Sequence, residues 1–431
     1  MNRTLTTNTS SVTLEKALHW ANQHSYFCLL NGNEIDYPFG GFPKVLAIGA
    51  KRLFNAERGN TFQRLFEFHK EKPSWLFGYL GYDLKNELEE LTSSHQNHTQ
   101  FNNACFFEPE HILTFNNDQV EVESEKSDWV IKQISEVALN KSIGQYGFLN
   151  QSVSKERYLE VVESLRQHIE EGDIYEINYC QEFWGEILQA APVETYLRLN
   201  DISPKPFSTF QKFADQYLLC ASPERFLKKN GEKLISQPIK GTKRRGDSIQ
   251  ADEALKVALR NDEKELAENM MIVDLVRNDL AQTSKVGTVD VEEIFGIYTF
   301  EQVHQMISTV TSEIHPDRLW IDAIKKAFPM GSMTGAPKIK VMELIEQYEN
   351  TRRGIFSGAA GYITPSGDFD LNVIIRSLFL DLENMHYSFQ VGGAITYDSI
   401  PAQEYEECLI KASAILQLIG QKVKPEKEIS I

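Results

Sequence analysis

Between Ser154 and Trp184 the hydrophobic period of this chain changes from that of a helix to that of a strand, and the two periods never settle into a regular alternation afterwards. Ser154 is placed to cap a helix on which Tyr158, Val161, Val162, Leu165 and Ile169 share one face, with Gly172 just beyond its end. From Ile174 to Trp184 the period is two: Tyr175, Ile177, Tyr179, Gln181 and Phe183 point one way, Glu176, Asn178, Cys180 and Glu182 the other. Further along, Glu253–Leu280 reads as one long helical stretch, and Pro337 as the first residue of a helix running to about Tyr348. Tyr387–Val391 reads as a strand followed by a glycine turn, and Ala402–Leu418 as a closing helix. The first 140 residues or so offer short apolar strands at Tyr26–Leu30, Val45–Ile48 and Trp75–Leu80, with polar loops expected over Thr92–Asn103 and Asn116–Asp128. Strands and helices interspersed without strict βαβ order predict an α+β fold with large, partly antiparallel sheets.

The chain has 431 residues, of which 42% are hydrophobic, enough for a sizeable core. Asp and Glu number 61 against 44 Lys and Arg, a net charge of −17. Such a surface argues against a general binder of nucleic acid or anionic membrane, but a small anionic substrate remains compatible if the site carries local positive charge. Cys28, Cys105, Cys180, Cys220 and Cys408 form no CxxC pair, so neither a disulfide framework nor a zinc ribbon is expected. Met1–Thr13 lacks the apolar region of a signal peptide, and no apolar run approaches the roughly 20 residues a spanning helix needs. A soluble, cytoplasmic protein is expected.

Four constellations carry candidate chemistry. Glu265 and Glu268 stand at i, i+3, which puts both carboxylates on one helix face. That is the spacing of a solvated acidic face, but here Met270–Val273 follow at once and carry the helix into a core. Glu404, Glu407 and Lys411 share one face of the last helix. Two Glu-x-x-Glu faces brought together would suit a hard divalent cation such as Mg²⁺, which prefers oxygen ligands and keeps waters. Lys240, in Pro238-Ile-Lys-Gly-Thr242, precedes the basic run Lys243–Arg245. A lysine amine becomes a nucleophile when burial or neighbouring cations depress its pKa, and the basic neighbours fit that reading as well as an ordinary turn lysine. Gly331–Lys338 (GSMTGAPK) leads into a helix and offers backbone amides to an anion, although its spacing is not that of a P-loop. His304 is either a donor to substrate or a satisfied core histidine, and His95 and His98 are either a metal pair or loop residues.

In their order along the chain these motifs resemble the chorismate-utilising enzymes, a family that includes the anthranilate, isochorismate, salicylate and aminodeoxychorismate synthases. The resemblance rests on Ser222–Phe226 (SPERF), PIKGT at 238–242, Glu265–Asn269 followed by MMIVDLVRND, GSMTGAPK at 331–338, Gly392–Ile395 and Glu404–Lys411. It covers about 150–420 strongly and the first 150 residues more loosely. It implies two large sheets packed as a sandwich with helices outside. It further implies a chorismate-binding catalytic part over 150–420, intertwined with an N-terminal portion over 1–145.

Family members that make anthranilate, isochorismate or salicylate typically carry Ala where this sequence has Lys240. Lys there resembles the members that aminate chorismate at C4, giving 4-amino-4-deoxychorismate for 4-aminobenzoate and folate synthesis; the alternative is the activity of anthranilate synthase component I, which releases pyruvate. The resemblance implies that Glu265, Glu268, Glu404 and Glu407 supply a Mg²⁺ shell. Arg376, Lys411, Gly392 and Gly393 would bind substrate carboxylates, and Ser332, Thr242 and His304 would line the site. It implies a covalent route: protonated Glu224 assists departure of the C4 hydroxyl, neutral Lys240 adds at C2, and ammonia displaces it. Glu176 departs from the pattern, since that position is commonly Gln in ammonia-using relatives and Lys in water-using ones. It is a candidate base, or a carboxylate that suppresses the amine by holding it charged. No cysteine lies in a glutaminase-like setting, so ammonia is expected from a separate glutamine amidotransferase subunit. Leu29-Leu30-Asn31-Gly32 departs from the family's tryptophan-site run, and tryptophan feedback is not expected.

Overall fold

The computed structural model describes residues 3–8, 12–56, 59–139, 142–301 and 303–423. Its strands form a 13-stranded and a 10-stranded sheet, and every pairing between named strands among the described residues is antiparallel rather than partly so. The larger sheet runs, at its centre, Tyr26–Asn31, Phe207–Phe213, Gln216–Ser222, Ser377–Asp381, His386–Ile395 and Glu176–Gln189. In the smaller one Val303–Glu313, Lys233–Gln237, Arg225–Asn230, Phe369–Val373, Ala359–Ile363 and Leu76–Leu80 are successive neighbours. Strands from the first 80 residues therefore sit inside both sheets, paired to partners far along the chain.

The period-two reading of the Glu176–Gln189 strand explains how it is clothed. Ile177, Tyr179 and Phe183 pack with Tyr158, Val161 and Leu165 of the helix Lys155–Glu170 and with Cys408, Ala412 and Ile415 of the helix Pro401–Ile419. On the other face, Cys180 joins a cluster that draws Leu30 and Cys220 from the larger sheet and Phe77, Leu227 and Leu371 from the smaller. Tyr79 and Phe213 meet there across the two sheets, ring centroids 4.8 Å apart. Ser154 caps its helix as expected, accepting from the Arg157 amide at 3.2 Å.

Three local expectations change, and one open alternative is decided. The stretch 253–280 is two helices, Ile249–Arg260 and Glu263–Ala281, because the Asp262 carboxylate caps the second and stops the first. Gly392 and Gly393 form no turn: the strand His386–Ile395 runs through them, opposite Cys180 and Tyr179. A Cβ at Gly392 would lie 2.4 Å from the Tyr179 carbonyl, which is why no side chain fits. The polar run 116–128 contains the strand Gln119–Ser124, whose Val120 and Val122 turn inward. His95 and His98 do not face a common ligand point; His95 Nε2 lies 2.7 Å from the Glu346 carbonyl, and His98 pairs with Glu182 at 2.8 Å while stacking on Trp184.

Arg225 is the largest fully buried side chain. Its guanidinium donates to both Asp370 oxygens at 2.9 and 3.0 Å, and to Gln237 Oε1 and the Gly40 carbonyl. Removing one partner of such a pair leaves a charge without solvent or counter-ion. Asp370→Ala is expected to cost about 3–5 kcal/mol in urea unfolding; a loss under about 1 kcal/mol, the scale of an exposed pair, would mean the remaining acceptors suffice.

Candidate active site

The strand Ile239–Arg244 pairs with Val303–Glu313, but Ile239 opposes Ile307 while Thr242 opposes Gln305, so three steps on one strand meet two on the other. Gly241, at φ +90°, takes up the extra residue of this bulge. The bulge turns Lys240 inward, where it is 9% exposed. Its Nζ donates to Glu176 Oε1 at 2.5 Å. Glu176 opens the long strand of the other sheet, so this contact joins the two sheets at their ends. The second Glu176 oxygen is buried and has no hydrogen-bond partner.

Glu224 stands at the start of Arg225–Asn230, fixed by the Arg225 anchor beside it. Burial pushes its carboxyl up to about 7, against weaker opposing pulls from Ser332, Lys240 and the Ile239 backbone. The Ser332 hydroxyl lies close by but makes no well-aligned hydrogen bond to the protein. A carboxyl near 7 retains its proton at neutral pH half of the time, as a general acid requires.

Lys240 behaves differently from the expectation drawn from its basic neighbours. Burial pulls its amine down, but the carboxylates of Glu176, Glu268 and Glu224 outweigh it and hold the amine above its ordinary value. The basic run is spent elsewhere: Lys243 pairs with Asp262 at 3.1 Å and Arg245 with Asp252 at 2.8 Å. In the free protein Lys240 is therefore an ammonium.

The two acidic pairs come from the helices Glu263–Ala281 and Pro401–Ile419, and members of both couple to this amine. Burial, then neighbouring carboxylates, raises Glu265; burial raises Glu268 to about 7, with Glu176 and Glu265 adding to it. Glu407 is lowered, chiefly by Lys411, whose Nζ is 2.6 Å away. Lys264 spans the gap, 3.2 Å from Glu404 Oε1 and 3.8 Å from Glu268 Oε1. No three of these glutamates bring oxygens within 4.8 Å of one another. An all-carboxylate donor set fits a hard cation that keeps part of its water shell.

Lys411 also donates to the Gly392 carbonyl at 3.0 Å, and a Cβ at Gly393 would lie 3.5 Å from Lys411 Nζ and 3.6 Å from Glu404 Oε2. Bare backbone is thus presented beside the acid pair. Arg376, at φ +54°, donates to the Lys411 carbonyl at 3.1 Å; burial holds its guanidinium below the ordinary value, and it makes no ion pair with a carboxylate among the described residues. Lys240, Glu224, Glu176, the four glutamates, Lys411, Arg376, Gly392, Gly393 and Ser332 are brought into one region by these contacts and couplings. Thr242 is exposed at its edge. His304 is fully buried, with Nε2 2.8 Å from Asp252 and Nδ1 3.0 Å from Thr299, so both ring nitrogens are engaged by protein. Lys264 and Asp252 escaped the sequence reading. Lys264 had a signal, standing at i, i+4 to Glu268; Asp252 had none. All five cysteines are buried, and burial pushes every thiol up, so none is poised as a thiolate.

The two antiparallel sheets thus bring a buried lysine, a raised carboxyl and two acid pairs into one region. A family profile described as chorismate binding enzyme matches residues 34–417, and the chain belongs to that family. It is 41% identical to an aminodeoxychorismate synthase of Streptomyces griseus over 62% of this chain, a match spanning only 36% of that protein's length. It is 30% identical to anthranilate synthase component 1 of Thermus thermophilus, over 87% of this chain and 88% of that one. Among solved structures, anthranilate synthase component I of Streptococcus pneumoniae superposes with a TM-score of 0.77 at 26% identity, covering 89% of this chain and 94% of the other. Among the described residues no helix is long and apolar enough to cross a membrane.

The raised Glu224 carboxyl has a stability consequence. The unfolded chain loses that proton near 4.5, the folded chain near 7. Over that window the unfolded state binds fewer protons, so stability falls as pH rises. Glu224→Gln is expected to flatten the pH 5 to 8 profile in urea unfolding by on the order of 2–3 kcal/mol; parallel wild-type and variant profiles would refute the shift.

Proposed function

We propose that this chain aminates chorismate at C4 to give 4-amino-4-deoxychorismate, the precursor of 4-aminobenzoate in folate synthesis. The observation that carries this reading is Lys240: a buried amine at the meeting point of the two sheets, in contact with Glu176 and beside a carboxyl poised near 7. The kinship with the Streptomyces griseus aminodeoxychorismate synthase supports it. Ammonia comes from a separate glutamine amidotransferase subunit, in keeping with the buried, unreactive cysteines. The site of action is the cytoplasm.

Glu265, Glu268, Glu404 and Glu407 hold Mg²⁺, directly or through water. When bound, the ion supplies positive charge for a substrate carboxylate and offsets the acid cluster. Arg376, Lys411 and the bare backbone at Gly392 and Gly393 take the carboxylates, with guanidinium geometry suited to two oxygens. Ser332 lines the ring site and Thr242 its exposed edge, while both His304 nitrogens are held by Asp252 and Thr299.

Lys240 begins as an ammonium and must give up a proton, and Glu176 is within one hydrogen bond to take it. The neutral amine then forms a bond to C2 as the ring double bonds shift and the C4–O bond breaks. Glu224 gives its proton to the departing oxygen, which leaves as water. Ammonia next bonds to C4, the double bonds shift back, and the C2–Nζ bond breaks. The proton shed by the new amine returns to the Glu224 carboxylate. Two displacements replace one difficult one.

A second reading, anthranilate synthesis, is favoured by near full-length matches to the Thermus and Streptococcus proteins. Product identity separates them. With chorismate, Mg²⁺ and ammonium, the proposed activity yields a product that needs a separate lyase to become 4-aminobenzoate, whereas fluorescent anthranilate with pyruvate would establish the second. Lys240→Ala is expected to abolish amination while Mg²⁺-dependent chorismate binding persists; full activity would reduce Lys240 to a basic contact. Glu176→Gln is expected to slow turnover and change its pH profile. Unchanged rates from pH 6 to 9 would remove Glu176 from the proton path.

A further inference from the structure

Behind Glu224, on the side formed by the helix Glu263–Ala281 and the turn Gly331–Met333, lies a small cavity of about 20 Å³, room for one water-sized molecule. Its walls are mainly apolar, with Ile272, Val276, Ala327 and Met330 among them. Most of its polar lining is already engaged. Asp279 is held by Lys338 at 2.6 Å, and Ser236 donates to the Phe226 carbonyl at 2.8 Å. Two groups have capacity to spare. The buried Ser332 hydroxyl makes no well-aligned hydrogen bond although it lies close enough to Glu224 to lower its carboxyl, and Glu224 borders the same space. A buried hydroxyl left unsatisfied costs roughly 1–3 kcal/mol, so its presence calls for a small partner.

We propose that this cavity is the binding site for ammonia, taking up one molecule between Ser332 and Glu224 once the C4 hydroxyl has departed. The inference rests on the amination reading above. Ammonia matches water in size, accepts from the Ser332 hydroxyl through its lone pair, and donates an N–H to the Glu224 carboxylate. Glu224 is in the right state at the right time: having given its proton to the departing water, it is the acceptor for the proton shed when nitrogen bonds to C4. The free space of about 20 Å³ suits ammonia better than a larger amine.

The test uses apolar wall residues that have no part in the proposed chorismate or Mg²⁺ contacts. Ala327→Val narrows the cavity and is expected to raise KM for ammonium about tenfold while KM for chorismate stays unchanged. Val276→Ile serves the same purpose should Ala327→Val fail to fold. Met330→Ala widens the cavity and is expected to let methylamine compete with ammonium as nucleophile. An unchanged KM for ammonium in a folded narrowing variant, or a parallel rise in both KM values, would overturn the proposal and leave a cavity that holds only water. If the wild-type chain shows no ammonium-dependent turnover at all, it is the amination reading that fails.

Discussion

The contact between Lys240 and Glu176 is where the architecture and the chemistry meet. Each sheet on its own places only half of it: a bulge at Gly241 turns the lysine inward from one, and the first residue of a 14-residue strand brings the carboxylate from the other. The packed aromatic layer between the sheets, with Tyr79 against Phe213, sets their separation. The short hydrogen bond is therefore a report on sheet packing, and a change in that core is felt at the amine.

That contact also settles the resting charge of the site. Buried lysines lose their proton when nothing opposes desolvation. Here three carboxylates do, and the balance falls toward the ammonium. On the proposed amination route, this stores the nucleophile in protonated form beside the carboxylate that would release it. Lys264 plays a comparable part among the acid pairs, as a cation of the chain's own that lies between Glu268 and Glu404.

Much of the fold was legible because periodicity reports burial directly. The Ser154-capped helix and the alternating strand after it came out with the anticipated faces, since both lie against one core. The break at Asp262 was hidden by helical residues on both sides of a cap, and the glycines at 392 and 393 were read as a turn because crowding from Tyr179 and Cys180 is a tertiary fact. The site residues were legible as a set through their motifs, while their electrostatics were not. Lys240 was expected to feel Lys243 and Arg245, neighbours in sequence, whereas the fold surrounds it with Glu176, Glu224 and Glu268 from three distant segments.

The threading of early strands into both sheets bears on how the molecule is made. Leu80 pairs with Ala359, 279 positions later (359 − 80). At a ribosomal pace of about 5–20 residues per second, the strand Leu76–Leu80 waits roughly 15–55 s for that neighbour to be synthesised. Throughout that interval Leu76, Phe77 and Tyr79, all destined for the interior, have no finished sheet to enter. The nascent chain is thus a natural client for a holding chaperone, and its yield should be governed by translation as much as by the stability of the finished enzyme.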